Sequence, residues 1–233
     1  MRCDAAAHRD QKGLKSSAKS LRPYLTNHPL DEAPAVAGKA KAEWLAAGLA
    51  PATINRRLAL LRRMCNVALE WGWTDRPLGK RIKLLPERNE RHVYLTADEV
   101  GALAAAMPLV GDAVILAAYT GLRLSELTRL ALANVDGDDI VLYRTKTDTP
   151  RRVPVPARAR HILAKLPWQW TETVRRNEWD AARKACHLEH VHWHDLRHTY
   201  ASFLAAAGFS DREMGELLGH TSAQMVRRYA HLL

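Results

Sequence analysis

HWHDLRHTYAS, His192 to Ser202, is the stretch whose reading decides this chain. His194 and Arg197 are three residues apart, so a helix starting at Asp195 lets their side chains share one face. The amide groups and dipole of that helix end favour a bound anion. Arginine suits a phosphate because its planar fork makes two hydrogen bonds and stays charged. Moving outward, Arg123 stands in TGLRLSEL and Lys146 in YRTKTDTP, with His220 in ELLGH and Tyr229 in VRRYAHL downstream. Cleaving a phosphodiester requires a nucleophile, neutralised non-bridging oxygens and a proton for the leaving oxygen. Arg123 and Arg197 supply the second. Lys146, on a predicted hairpin tip, can protonate a 5′ oxygen. Tyr229 is the candidate nucleophile, and its phenol, with an ordinary pKa of about 10, needs positive charge or a base nearby.

Singly, each residue has a plainer reading. Arg123 could cap a helix and pair with Glu126. Lys146 could be a solvated turn lysine, His220 a loop histidine, and Tyr229 an aromatic packed on Met225. It is the ordered set that points to chemistry on a nucleic acid backbone.

The composition agrees. Thirty-five Lys and Arg against 25 Asp and Glu leave a formal charge of +10, a surface that concentrates polyanions. Three scattered cysteines, without a CxxC pair, argue against a disulfide framework and fit a reducing compartment. Met1 to Leu30 is charged throughout, with no apolar leader core. AVILAAY, Ala113 to Tyr119, is too short to span a bilayer. The expectation is a soluble cytoplasmic, nucleoid-associated protein with no membrane partner.

The predicted elements are mostly helical. A helix is expected around Gln11 to Leu25, and an Ala-rich one from Asp31 to Ala47 stopped by Gly48. From Pro51, residues Ile54, Leu58, Leu61, Cys65 and Ala68 fall at steps of four, three, four and three, one helical stripe. Between Pro51 and Arg91, ten basic residues stand against four acidic. Arg56, Arg57, Arg62, Arg63, Lys80, Arg81 and Lys83 among them are candidates for contacting DNA phosphates. LLPERNERHVY, Leu84 to Tyr94, reads as a linker. Helices are then expected after the Thr96/Glu99 capping box, from Gly111 to Tyr119, and from about Ser125 to Ala131. Ile140 to Arg144 and Arg151 to Val155 predict a hairpin with Lys146 in its turn. Helices follow at Thr173 to Cys186, Asp195 to Ala207, after the Ser210/Glu213 capping box, and from about Ser222. The fold class is mainly α with a small antiparallel hairpin or sheet, α+β. Residues 8–88 are expected to form a helical DNA-clamping domain, 89–94 a linker and 95–233 a catalytic domain.

These motifs resemble the tyrosine recombinases of the phage integrase family. TGLRLSEL is similar to the family's first arginine box, HDLRHTYAS to its His-x-x-Arg box, LLGH to its third box and RYAHL to its tyrosine box. PATINRRLALLRRMCNVALEWGW resembles the helical core-binding domain. The resemblance implies site-specific recombination: Tyr229 attacks the scissile phosphate of double-stranded DNA, forms a 3′-phosphotyrosyl link and releases a 5′-hydroxyl. It further implies that Arg123, Arg197 and His220 hold the phosphate, that Lys146 is the general acid and that His194 is a base or proton shuttle. It implies no metal or other cofactor, and four protomers on two DNA sites. Tyr200 stands where many relatives carry tryptophan. The chain stops four residues after Tyr229, which puts tetramer assembly in question; separately, no arm-binding domain is expected before the core-binding region.

Alternatives differ in class. A DNA-binding protein or decayed recombinase would cleave with little strand exchange, and a type IB topoisomerase-like activity would need only a monomer. Cys186, His187, His190, His192, His194 and His198 crowd one stretch, and an extended 190–194 segment would align three imidazoles for zinc. The spacing lacks a second cysteine, and the main reading has no metal site.

Overall fold

The computed structural model describes residues 11–87, 93–143 and 150–219. The chain divides into two compact units, Met1–Asn89 and Glu90–Leu233.

The described part of the first unit is helical: α1 (Gln11–Leu25), α2 (Ala33–Ala46), α3 (Pro51–Glu70) and α4 (Leu78–Arg81). The α3 stripe is its spine, with Ile54 and Leu58 fully buried and Leu61, Cys65 and Ala68 nearly so. Full burial of a leucine contributes about 2 kcal/mol. Ala33, Ala37 and Ala40 of α2 are also buried in this core, and Leu21, Leu78 and Ile82 join them. Gly79 lets α4 sit against α3, since a Cβ there would lie 2.9 Å from the Arg62 carbonyl. Asn55 interrupts the apolar face for a reason invisible to periodicity. Its amide donates to Leu85 O at 2.8 Å and accepts from Leu85 N at 2.8 Å, strapping the segment after α4 along α3. The Ala-rich helix begins at Ala33 rather than Asp31. Pro34 belongs to its first turn, and Leu30–Glu32 form a separate 3-10 turn.

The second unit opens with α5 (Ala97–Ala105), capped reciprocally by Thr96 and Glu99. In α6 (Gly111–Thr120) all but three residues are buried. A Cβ at Gly111 would meet Ala104 O at 2.2 Å, so only glycine allows α5 and α6 to approach this closely. The helix expected from Ser125 to Ala131 is instead the single turn α7 (Leu124–Leu127), followed by a 3-10 turn, Leu132–Asn134. Asn134 explains the difference: it accepts from Ala131 N at 3.0 Å and donates to Val141 O at 3.0 Å, diverting the chain into the sheet.

That sheet has three antiparallel strands in the order β1 (Val135–Asp136), β2 (Asp139–Leu142) and β3 (Arg151–Pro154). Ile140 faces Val135 on one side and Val153 on the other. The expected hairpin is present as β2 and β3; the two-residue β1 is too short to signal itself by alternation. Lys146, expected in the turn between β2 and β3, lies outside the described residues. A short α8 (Ala157–Arg160) and a 3-10 segment, His161–Lys165, were not expected. Then come α9 (Glu172–Ala185), capped by Thr171, α10 (Asp195–Ala206), and α11 (Asp211–Leu218), capped by Ser210 and Glu213. The helix expected after Ser222 lies outside the described residues. The described residues are thus mainly helical with one small antiparallel sheet, as expected. Among the described residues no helix is long and apolar enough to cross a membrane.

Candidate active site

The turn before α10 is held from both ends. Asp195, almost completely buried, accepts a hydrogen bond from His192 N at 2.8 Å. Trp193 packs on Trp179 of α9 with ring centroids 4.8 Å apart, and the Arg175 guanidinium lies over Trp193 at 4.9 Å. One turn later Arg197 points into the protein, only 3% exposed. It donates to Gly121 O at 2.5 Å and to Leu218 O. These carbonyls end α6 and α11, where the helix dipole is negative and acceptors lack intrahelical partners. Gly121 and Gly219 close those helices with φ of 63° and 61°. Gly121 has a second constraint, because a Cβ would lie 2.4 Å from the Tyr200 ring.

Arg123 reaches the same helix end from another side. Its backbone N–H and its Nη1 both donate to Glu126, at 2.9 and 2.7 Å, and its Nη2 donates to Gly219 O at 3.2 Å. The Glu126 oxygen bound by the Arg123 N–H also accepts from Arg151 Nη2 at 2.7 Å. Arg151 Nη1 in turn donates to Leu217 O at 3.2 Å. Three successive carbonyls at the end of α11 (Leu217, Leu218 and Gly219) thus each receive a different guanidinium, from Arg151, Arg197 and Arg123. Burial works against ionisation of Glu126, but Arg151 and Arg123 overcome it and hold the carboxyl below its usual range. Burial lowers the Arg151 pKa against the opposing pull of Glu126. Arg123 is the more open of these two arginines, with 20% of its side chain exposed against 8% for Arg151.

His194 lies at the solvent-exposed start of α10, edge-on to His198 at 5.2 Å. Partial enclosure of its ring lowers its pKa, and Arg197 and Arg123 lower it further against the opposing charge of Asp195. A neutral imidazole beside guanidinium groups can accept a proton. Arg123, His194 and Arg197 therefore come together in the fold, while Lys146, His220 and Tyr229 lie outside the described residues.

Sequence reasoning did not single out Arg151, although a signal existed. It shares the inward register of β3 with buried Val153, a position where an unpaired charge is costly. Glu126, considered only as a plain partner of Arg123, is the joint between two arginines.

In the helical unit, Arg56 and Arg63 are seven residues apart on the side of α3 opposite its buried stripe, and both are exposed, as are Lys80, Arg81 and Lys83. Two of the candidate phosphate contacts have structural work. Arg57 lies over the Trp44 ring at 4.8 Å, and half-buried Arg62 donates to Gly79 O at 3.2 Å. The 190–194 segment is a turn rather than a strand, so its histidines do not alternate along one edge. Among the described residues no group of three or more His, Cys, Asp or Glu is gathered as metal ligands would be.

Residues 168–233 match the model of the phage integrase family. The chain is 30% identical over 217 residues to the tyrosine recombinase XerC of Chromohalobacter salexigens, covering 79% of this chain and 71% of that protein. It is 30% identical over 195 residues to a shufflon-specific DNA recombinase of Escherichia coli, covering 77% of this chain and 51% of the other. Its fold is similar to that of a lambda integrase dimer bound to a COC′ core site, with a TM-score of 0.79 and 21% identity over 96% of this chain and 90% of that one. The chain belongs to the tyrosine recombinase family, whose phage members are the integrases. It spans only 51% and 56% of two of the curated relatives it matches, the shufflon recombinase and the integrase of Escherichia phage P2.

Proposed function

We propose that this protein is a site-specific DNA recombinase that cleaves and rejoins double-stranded DNA through a 3′-phosphotyrosyl intermediate. The observation that carries the reading is the meeting of Arg123 and Arg197 at the end of α11, with His194 beside them. Guanidinium groups held by carbonyls and a carboxylate are pre-organised to neutralise a phosphate as charge develops on it. In this reading Tyr229 attacks phosphorus, the 5′ oxygen leaves and takes a proton from Lys146, and His220 joins the arginines on the phosphate. His194 accepts or relays the phenol proton. The phosphotyrosyl bond keeps the energy of the phosphodiester, so rejoining by a 5′-hydroxyl needs neither ATP nor metal. Residues 8–88 are the clamping domain, 89–94 the linker and 95–233 the catalytic domain. Arg56, Arg63, Lys80, Arg81 and Lys83 track phosphates; recombination pairs two sites on four protomers in the cytoplasm.

The test is a nicked duplex in which cleavage frees a short fragment that diffuses away and traps the intermediate. Expected is a covalent protein–DNA adduct that survives denaturant and disappears in Tyr229→Phe. Salt-sensitive binding to a cognate site without adduct would instead make the protein a DNA-binding module.

A further inference from the structure

We infer that Arg151 is a positioning residue for this site: through Glu126 it orients the Arg123 guanidinium, and through Leu217 O it holds the end of α11. The inference rests on the recombinase reading above. Arg151 is deep, with 8% of its side chain exposed, while Arg123 retains a solvent-facing part. Glu126 is shared between them. One oxygen takes the Arg123 Nη1, and the other takes Arg151 Nη2 together with the Arg123 backbone N–H. Arg123 holds both oxygens from its own element; the contact from Arg151 ties the same carboxylate to β3, so that it and the Arg123 guanidinium cannot shift together. Glu126 also separates two like charges that would otherwise push Arg123 out of place.

A second route runs through Gly219. A Cβ at that position would lie 2.7 Å from Arg151 Nη1 and 3.0 Å from its Cδ, so the absence of a side chain is what lets Arg151 pass. The carbonyl of the same glycine accepts from Arg123. Arg151 therefore packs on the residue that Arg123 grips, while bonding to Leu217 two residues earlier. Stability alone does not account for this choice of residue. Among the described residues the buried Arg151 Nε has no hydrogen-bond partner, a cost that an apolar side chain would not carry. Lysine cannot substitute fully, because one ammonium replaces a fork that spans a carboxylate and a carbonyl.

The experiment uses the full chain and a library of nicked duplexes with a randomised core, the covalent adduct being the selection. On the recovered sequence, binding and single-turnover cleavage at saturating protein are measured for Arg151→Met, Arg151→Lys, Arg123→Ala and the Arg123→Ala/Arg151→Met pair. Losing a clamp outright costs roughly 100- to 1000-fold. Arg151→Met is expected to slow cleavage by about 10- to 100-fold, with binding within about threefold, and Arg151→Lys to fall between it and the parent. In the Arg123→Ala background, Arg151→Met is expected to add less than about threefold, because both changes disable the same group. Independent losses that multiply overturn the proposal, as does parental cleavage by folded Arg151→Met. If Arg151→Met does not fold, Arg151→Lys decides: parental cleavage overturns the proposal, and slowed cleavage with intact binding and folding supports it. Failure of the unsubstituted chain to form any adduct would defeat the recombinase reading, and this inference with it.

Discussion

Replacing Arg197 by alanine tests whether one side chain serves both fold and chemistry. Its guanidinium joins the ends of α6 and α11 through Gly121 O and Leu218 O. Hydrogen bonds to a charged group contribute about 1.5–3 kcal/mol each, so two represent roughly 3–6 kcal/mol. Removing a buried cation also relieves its desolvation, which offsets part of that sum. The expected net loss is about 3 kcal/mol. For a unit of this size it lowers the unfolding midpoint by roughly 10 °C. Differential scanning calorimetry on the full chain measures this directly. Adduct formation is then assayed well below the variant's midpoint, where the protein is folded, and is expected to be abolished while DNA binding stays within a few-fold. A midpoint within about 2 °C of the parent would refute the bridging role, and normal cleavage would refute the phosphate-clamp assignment.

Exchanging both Arg56 and Arg63 for alanine is expected to weaken DNA binding and reduce the slope of log affinity against log salt by roughly 1.8, two phosphate contacts' worth; an unchanged slope would mean that this face does not meet DNA. Arg62→Ala is expected to leave that slope nearly unchanged and to destabilise the helical unit by about 1 kcal/mol, through loss of its bond to Gly79 O; an unfolding midpoint equal to the parent's would refute that assignment. His194 titrates below the ordinary histidine value of 6.5, so the unfolded chain binds its proton at higher pH than the folded protein. Its contribution to stability is therefore most unfavourable below both values, rises with pH through the window ending near 6.5, and is flat above it. The stability difference between the parent and His194→Asn, followed by denaturant titration across pH, should change inside that window; a change confined to neutral or higher pH would contradict the assignment.

Much of the architecture was legible because local rules and burial agreed. The α3 stripe, the reciprocal caps at Thr96/Glu99 and Ser210/Glu213, and the glycine stop at Gly48 are all local signals. Where a side chain bonded across elements, local reading failed. Asn134 ended a helix by binding β2, and Arg62 proved to hold Gly79 as well as lie beside a basic face.

The sequence by itself determined the family, the helical spacing of His194 and Arg197, and the ordered set of residues able to act on a phosphodiester. Those properties reside in residue identity and short-range period, which survive without coordinates. Only the tertiary structure decided that Arg123, Arg151 and Arg197 meet at one helix end, and that Glu126 joins two of them. Arg151 lies 66 residues from Leu217 in the chain and 25 from Glu126. No local pattern encodes such contacts; they exist because folding brings β3, α7 and the end of α11 within hydrogen-bond reach.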